Sequence, residues 1–202
     1  MLDRQATQWI KPAMDRAAAA LLAAGLHAHQ VTLFGFGLGL IAAACIAWQH
    51  YLAGAVLLLL SRLCDGLDGA LARLTKPTDQ GGFLDIALDF LFYALIPLGF
   101  AFANPAANAL AAAVLLAAFI GTGSSFLAFA VLAAKRGLAS TAYPNKSFYF
   151  LGGLTEATET LAFFLAMCVW PQHFAVLAYS FAALCAITIA MRIGWGYRAF
   201  AD

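Results

Sequence analysis

Ten acidic residues occur in this 202-residue chain, and five of them fall in one stretch, DGLDGALARLTKPTDQGGFLDIALD, which runs from Asp65 to Asp89. Of these, Asp79 sits in a Pro- and Gly-containing connection, while Asp65, Asp68, Asp85 and Asp89 sit in the flanking apolar segments. A charged carboxylate within a bilayer span costs about 2.5–3.5 kcal/mol on an insertion scale, so four of them so close together call for a purpose. At about 100° per residue, Asp65, Asp68, Gly69 and Ala72 share one helical face, with Arg62 and Arg73 at its edges. Asp85 and Asp89 are four apart and stack on one face of the next helix. The KPTDQG segment between them contains Pro77 and Gly81, which suit a tight reversal that turns the two faces toward each other.

Carboxylates that converge in a low-dielectric cleft repel one another unless a cation balances them. Oxygen-only ligation points to Mg²⁺ or Mn²⁺, and four Asp can hold two such ions in the manner of phosphoryl-transfer sites. Gly69 and Ala72, nearly without side chain on the same stripe, leave space for a bulky ligand such as a nucleotide. Ion pairing of the acids with Arg62, Arg73 and Lys76 at the water boundary is the competing explanation. For one Asp it is as good as the first. For four at helical spacing it does not account for the convergence.

The elements that must position these residues follow from composition. Hydrophobic residues make up 64% of the chain, charged residues 10%, and the mean hydropathy is +0.86. Soluble domains do not show such values, and the chain is expected to be an all-α integral membrane protein. At about 20 apolar residues per span, six transmembrane helices are expected at residues 31–48, 51–74, 83–103, 107–134, 148–170 and 174–197. Residues 1–24 form a separate amphipathic interfacial helix, with Ile10, Met14 and Leu21 on one side and Arg4, Lys11 and Asp15 elsewhere. The charges scattered through it do not resemble a cleaved signal. On this reading 1–202 is a single membrane domain, with an interfacial helix (1–24) and a six-helix core (31–197). With a cytoplasmic amino terminus, all eleven Lys and Arg face the cytosol, which sets the orientation by the positive-inside rule. Both termini and the acidic site are then cytoplasmic, in a bacterial inner membrane.

The net charge of +1, with basic residues spread along one membrane face, gives no nucleic-acid patch. Cys45, Cys64, Cys168 and Cys185 occur singly within apolar spans and read as small packing residues. Gly35 and Gly39 form a small-xxx-small pair for helix packing, with Gly37 between them, and Gly121, Gly123, Ser124 and Ser125 do the same in the fourth span.

The acidic stretch resembles the motif of the CDP-alcohol phosphotransferases, D-x-x-D-G-x-x-A-R followed by G-x-x-x-D-x-x-x-D. Asp65, Asp68, Gly69, Ala72, Arg73, Gly81, Asp85 and Asp89 meet it. Seven residues separate Arg73 from Gly81, where the family more often has eight. Ala28 and His29 precede Thr32, where many members carry Pro-Asn. The resemblance implies attack of an acceptor hydroxyl on the phosphorus bearing the alcohol portion of a CDP-alcohol, with release of CMP. In lipid-synthesising members the donor is CDP-diacylglycerol. It further implies that Asp65 and Asp85 bridge two Mg²⁺ or Mn²⁺ ions, that Asp68 completes the first and Asp89 touches the second, and that Asp89 is the general base. Gly69, Ala72, Arg73 and Thr78 would hold the CDP portion, and a homodimer in membrane lipid is implied as the assembly.

Two further groups bear on the acceptor. Glu156 and Glu159, in the first half of the fifth span among Thr155, Thr158 and Thr160, suit a hydroxyl or an amine, or else serve interhelical hydrogen bonding. Lys135, Arg136, Lys146 and Arg192 suit a phosphorylated acceptor, or else anchor the chain by the positive-inside rule. Two alternatives stand beside the transferase: a prenyl-diphosphate transferase, which also uses Asp-rich helices with Mg²⁺, and a membrane cation-binding or transport protein. The Gly69-to-Arg73 pattern speaks against the former, and the lack of an inverted repeat of the acidic stretch against the latter.

Overall fold

The computed structural model describes residues 2–137 and 153–201, with side chains from Lys11 onward. Among these residues are seven α-helices and no strand: α1 (Leu2–Ala23), α2 (Ala28–Ala47), α3 (Tyr51–Leu74), α4 (Asp79–Ala103), α5 (Pro105–Lys135), α6 (Ala157–Val169) and α7 (Phe174–Ala199). A short 3₁₀ turn, Pro171–His173, leads into α7. Four segments are long and apolar enough to cross a membrane: α2, α4, α5 and Pro171–Ala199. The count from sequence was six. The helix α3 has the length, but from its midpoint onward it carries Arg62, Asp65, Asp68 and Arg73. The helix α6 is only 13 residues long. The fifth span was expected from residue 148, and residues 148–152 lie outside the described part, as does Lys146.

Local chemistry explains where the helices begin. At α4 the Thr78 hydroxyl accepts a hydrogen bond from the Gly81 amide at 3.1 Å, and Asp79 places a negative charge in the first turn. The helix therefore starts four residues before the expected Phe83, and Asp85 and Asp89 lie deeper within it than the sequence reading had them. At α5 the Asn104 carboxamide oxygen accepts from the Ala107 amide at 3.3 Å, with Pro105 in the first turn, where its missing N–H costs nothing.

The helices meet through an aromatic and aliphatic core. Phe92, Ile96 and Phe100 of α4 pack with Ile46, Leu58, Leu115, Phe164, Met167 and Phe181, all fully buried. Phe100 stacks on Phe174 at 4.6 Å between centroids, and Phe163 on Phe181 at 4.5 Å. Outside this core, Phe34, Leu52, Phe102, Leu110 and Ile120 are more than half exposed, an outer face that fits lipid far better than water.

Small residues let the backbones approach. A Cβ on Gly35 would stand 2.7 Å from the Cys64 Cβ, and one on Gly39 2.6 Å from Phe92 Cδ2. These contacts seat α2 against α3 and α4, beside the acidic stretch. A Cβ on Gly99 would stand 2.7 Å from the Ala43 carbonyl oxygen, which is backbone and has no rotamer to yield. Gly99→Val is therefore expected to lower the thermal unfolding midpoint in detergent, with an overpacking cost of about 1–3 kcal/mol. Gly37 has nothing within 4 Å of the same position. Gly37→Ala is the paired control, expected to leave the midpoint unchanged or raise it. Equal midpoints for the Gly99 variant and the wild type would refute the close-packing account.

The first helix packs against the bundle along one side. Ala18 is fully buried in a second cluster with Val31, Ala70 and Leu71, joined by Leu21, Leu22 and Leu67. Met14 reaches the surface over Gly66, 3.2 Å from where a Cβ would stand. Thus α1 docks on α3, on the flank away from the carboxylates.

Candidate active site

The turn between α3 and α4 spans only Thr75 to Thr78 and folds the two acidic faces together. Asp65, Asp68 and Asp85 each place a carboxylate oxygen within 4.8 Å of the others. Asp68 is the most enclosed, with 5% of its surface exposed, and its Oδ2 is buried without a hydrogen-bond partner. A buried acceptor left unpaired costs roughly 1–3 kcal/mol, more when charged. An oxygen so placed is available to a ligand from outside the chain. Three carboxylates with one unsatisfied oxygen, all hard oxygen donors, fit a Mg²⁺ or Mn²⁺ ion. The pocket around them is lined by Thr32, Gly35, Ser61, Arg62, Leu88 and Asp89 as well, and its volume of about 10 Å³ gives room for an ion or a water.

Asp89 stands apart from the three. The Arg62 guanidinium donates to its Oδ1 from Nη1 at 2.6 Å, and the same Nη1 lies 3.6 Å from Asp65 Oδ1. Arg62 is held in turn by its surroundings: its Cζ sits 3.7 Å above the Phe92 ring centroid, and Nη2 is 3.5 Å from Ser61 Oγ. Ser61 is fully buried and donates to the Gly35 carbonyl at 2.7 Å, linking the arginine to the α2 contact. Ion pairing, the competing explanation for the acids, thus holds for Arg62 with Asp65 and Asp89. No ion pair of Arg73 or Lys76 to Asp65, Asp68 or Asp89 occurs among the described residues.

The expected nucleotide contacts flank this centre. Arg73 is exposed and folds back over Gly69, with Nη1 3.4 Å from where a Gly69 Cβ would be. Ala72 is half-buried one turn further along α3. Thr78 is already occupied as the cap of α4.

The acceptor candidates are scattered. Glu156 and Glu159 form the start of α6, where the Glu156 amide donates to Glu159 Oε2 at 3.0 Å. Glu156 Oε1 also accepts from the Gly153 amide at 3.4 Å. Both therefore have a capping duty that the sequence reading did not foresee. Lys135 ends α5, exposed, and Arg136 donates from Nη2 to the Phe200 carbonyl at 3.2 Å. Arg192 is buried on α7 and donates from Nη1 to the Thr122 carbonyl at 3.0 Å. It borders a cleft of about 530 Å³ between α5 and α7, together with Ser125, Phe129 and Tyr197.

With this geometry in view, the relatives become informative. The family model for CDP-alcohol phosphatidyltransferases matches residues 26–194. The chain belongs to the CDP-alcohol phosphatidyltransferase family. It is accordingly a transferase of substituted phosphate groups, and the prenyl-transferase and cation-transport alternatives give way to that assignment. The inner membrane protein YnjF of Escherichia coli K12 is 53% identical over 197 residues, covering 98% of this chain and 96% of that one. An archaetidylinositol phosphate synthase of Pyrococcus horikoshii is 36% identical over 93 residues, 46% of this chain and 50% of the relative. Among solved structures, the phosphatidylinositol phosphate synthase of Mycobacterium tuberculosis with CDP-DAG bound superimposes with a TM-score of 0.73 at 22% identity, covering 91% of this chain and 93% of that one. The same synthase in complex with manganese and citrate gives 0.72 at 22% identity, covering 91% and 88%. At that identity the likeness is one of fold, and this phosphatidyltransferase shares it over nearly its whole length.

Phe36, Ser61 and Leu88 line the ion-sized pocket without having been singled out from sequence. Arg62 was placed only at the edge of the acidic stripe. The sequence signal for it is its position three residues before Asp65, on the same helical face.

Proposed function

We propose that this protein transfers a phosphatidyl group from CDP-diacylglycerol to an acceptor hydroxyl, releasing CMP, at a divalent-metal site made by Asp65, Asp68, Asp85 and Asp89. The observation that carries the proposal is the meeting of Asp65, Asp68 and Asp85 across two helices, with one Asp68 oxygen buried and unsatisfied. The CDP-DAG-bound and manganese-bound synthase of the same fold supports the choice of donor and metal. Divalent ions on these carboxylates would supply Lewis-acid stabilisation of the charge that develops on the diphosphate.

The remaining work falls to the chain's own groups. Arg73, an always-charged fork of donors beside Gly69, binds the diphosphate of the CDP portion, and Ala72 and Gly69 leave that face of α3 open to it. The acceptor oxygen attacks the phosphorus bearing the diacylglycerol as its proton passes to Asp89, and the bond to the CMP oxygen breaks. With Oδ1 of Asp89 engaged by Arg62, Oδ2 is the oxygen that takes the proton. Arg192 and the cleft beside it supply the site for a phosphorylated acceptor, with Lys135 and Arg136 at the cytoplasmic end of α5. Glu156 and Glu159, being engaged in capping, are weaker candidates for an acceptor contact.

The frame for this reaction is a six-span chain with both termini and the site in the cytoplasm, in the inner membrane as the name of the 53% identical relative indicates. In it α3 and the segment containing α6 complete the set begun by the four long apolar helices, α1 lies at the cytoplasmic surface, and two copies form a homodimer. Protein purified into nanodiscs and given CDP-diacylglycerol, Mg²⁺ or Mn²⁺ and a panel of glycerol phosphate, inositol phosphate, serine and amino-alcohols is expected to release CMP with one acceptor class and to stop on chelation. Release with CDP-choline or CDP-ethanolamine alone would overturn the lipid donor, and no release with any donor would overturn the transferase reading of the site.

A further inference from the structure

Arg62 is the one cation seated inside the carboxylate pocket among the described residues, and it has a position no mobile surface arginine would keep. Its side chain is 14% exposed, flat against Phe92, and 2.6 Å from Asp89. Its Nε is buried with no hydrogen-bond partner, so the guanidinium is placed for the carboxylates and not for its own full satisfaction. The four Asp and Arg62 together carry a formal charge of minus three. Asp65, Asp68 and Asp85 each bring an oxygen within 4.8 Å of the others, while Oδ1 of Asp89 takes the short hydrogen bond from Arg62.

We infer that Arg62 is a built-in cation of this site that holds Asp89 apart from Asp65, Asp68 and Asp85, so that divalent ions load unequally, one tightly and a second much more weakly. The inference rests on the metal reading of the four carboxylates given above. The first ion meets three carboxylates and the unsatisfied Asp68 oxygen. A second has to share Asp65 and Asp89 with a guanidinium a few ångströms away, and like charges at that separation repel strongly in a partly buried site. The residue has a further consequence for the donor. With two divalent ions aboard, the five side chains and the ions sum to plus one, whereas an uncharged residue at position 62 would bring them to zero. The arginine thus leaves the loaded site with an excess positive charge for a diphosphate.

The test is equilibrium binding of Mn²⁺ without donor or acceptor, followed by the electron paramagnetic resonance of the free ion, on the whole protein in detergent micelles. The wild type is expected to bind one ion tightly and a second at least about tenfold more weakly. Arg62→Met, which keeps the apolar stem against Phe92, is expected to tighten the second site about tenfold or more and bring the two classes together. Arg62→Lys retains the charge and is expected to retain unequal loading. Superimposable isotherms for wild type and a folded Arg62→Met would overturn the inference, and so would two equal sites in the wild type, a result that needs no variant. Those outcomes leave the metal reading standing. Wild-type protein that binds no Mn²⁺ at all would overturn the metal reading itself, and the inference with it.

Discussion

Asp89→Asn is expected to lower acceptor-dependent CMP release by about 10³-fold while leaving metal-dependent binding of the CDP-alcohol donor in place. The carboxamide has nearly the shape of the carboxylate but cannot take the acceptor proton, and general-base catalysis is worth roughly 10²–10⁴-fold. Asp89 lies outside the group formed by Asp65, Asp68 and Asp85, so the first ion keeps its three ligands in this variant. Arg62 exchanges a charged acceptor for a neutral amide oxygen and retains Asp65 at 3.6 Å, and the fold is expected to survive. Turnover and donor binding are both measurable on the same preparation, one by CMP release and the other by equilibrium binding of labelled donor. A variant with wild-type turnover would remove Asp89 from the proton transfer. Parallel loss of turnover and donor binding would make it a ligand and nothing more.

Asp68→Asn separates catalysis from stability in the opposite way. Asp68 is the most buried of the four acids, and its Oδ2 has no partner. Losing it is expected to weaken Mn²⁺ binding by more than the roughly 10–100-fold that removal of an outer-shell partner costs, and to abolish CMP release at ordinary metal concentrations. In the presence of a chelator the same variant is expected to unfold at a temperature equal to or above that of the wild type. The reason is that a buried charge without compensation destabilises the fold, whereas a neutral amide of the same shape costs less there. A lower unfolding midpoint in chelator would show that Asp68 holds the helices together directly, and would count against its role as a metal ligand.

Much of this site follows from spacing along the chain, because helical geometry is local. Asp65 and Asp68 share a face of α3 at three residues' separation whatever surrounds them, and the Pro77-containing turn leaves α4 only one direction in which to run. The close-packing glycines Gly35 and Gly39 were legible for the same reason, since a small-xxx-small pair marks one stripe of one helix. Where the reading from sequence fell short, the deciding interaction was a cap or a contact between elements distant in sequence. Glu156 and Glu159 sit in an apolar run whose pattern does not mark a helix start, and the hydrogen bond between them and the Glu156 contact to Gly153 make them the start of α6. The first helix has an amphipathic pattern that suits a membrane surface, and that pattern does not show that Ala18 meets Ala70 and Leu71 on α3.

Asp85 and Asp89 show the division most clearly. Four residues apart on α4, they are equivalent by helical geometry, and from sequence both belong with Asp65 and Asp68. Their different surroundings depend on Arg62, whose guanidinium is fixed by the Phe92 ring and by Ser61, itself tied to α2 through the Gly35 carbonyl. The one-dimensional pattern determined which residues carry the charge and which helical faces present it, since these depend on the chain's own period. The tertiary structure decided which carboxylates converge and which one takes the short hydrogen bond from an arginine, because that depends on where a third helix lets the arginine lie.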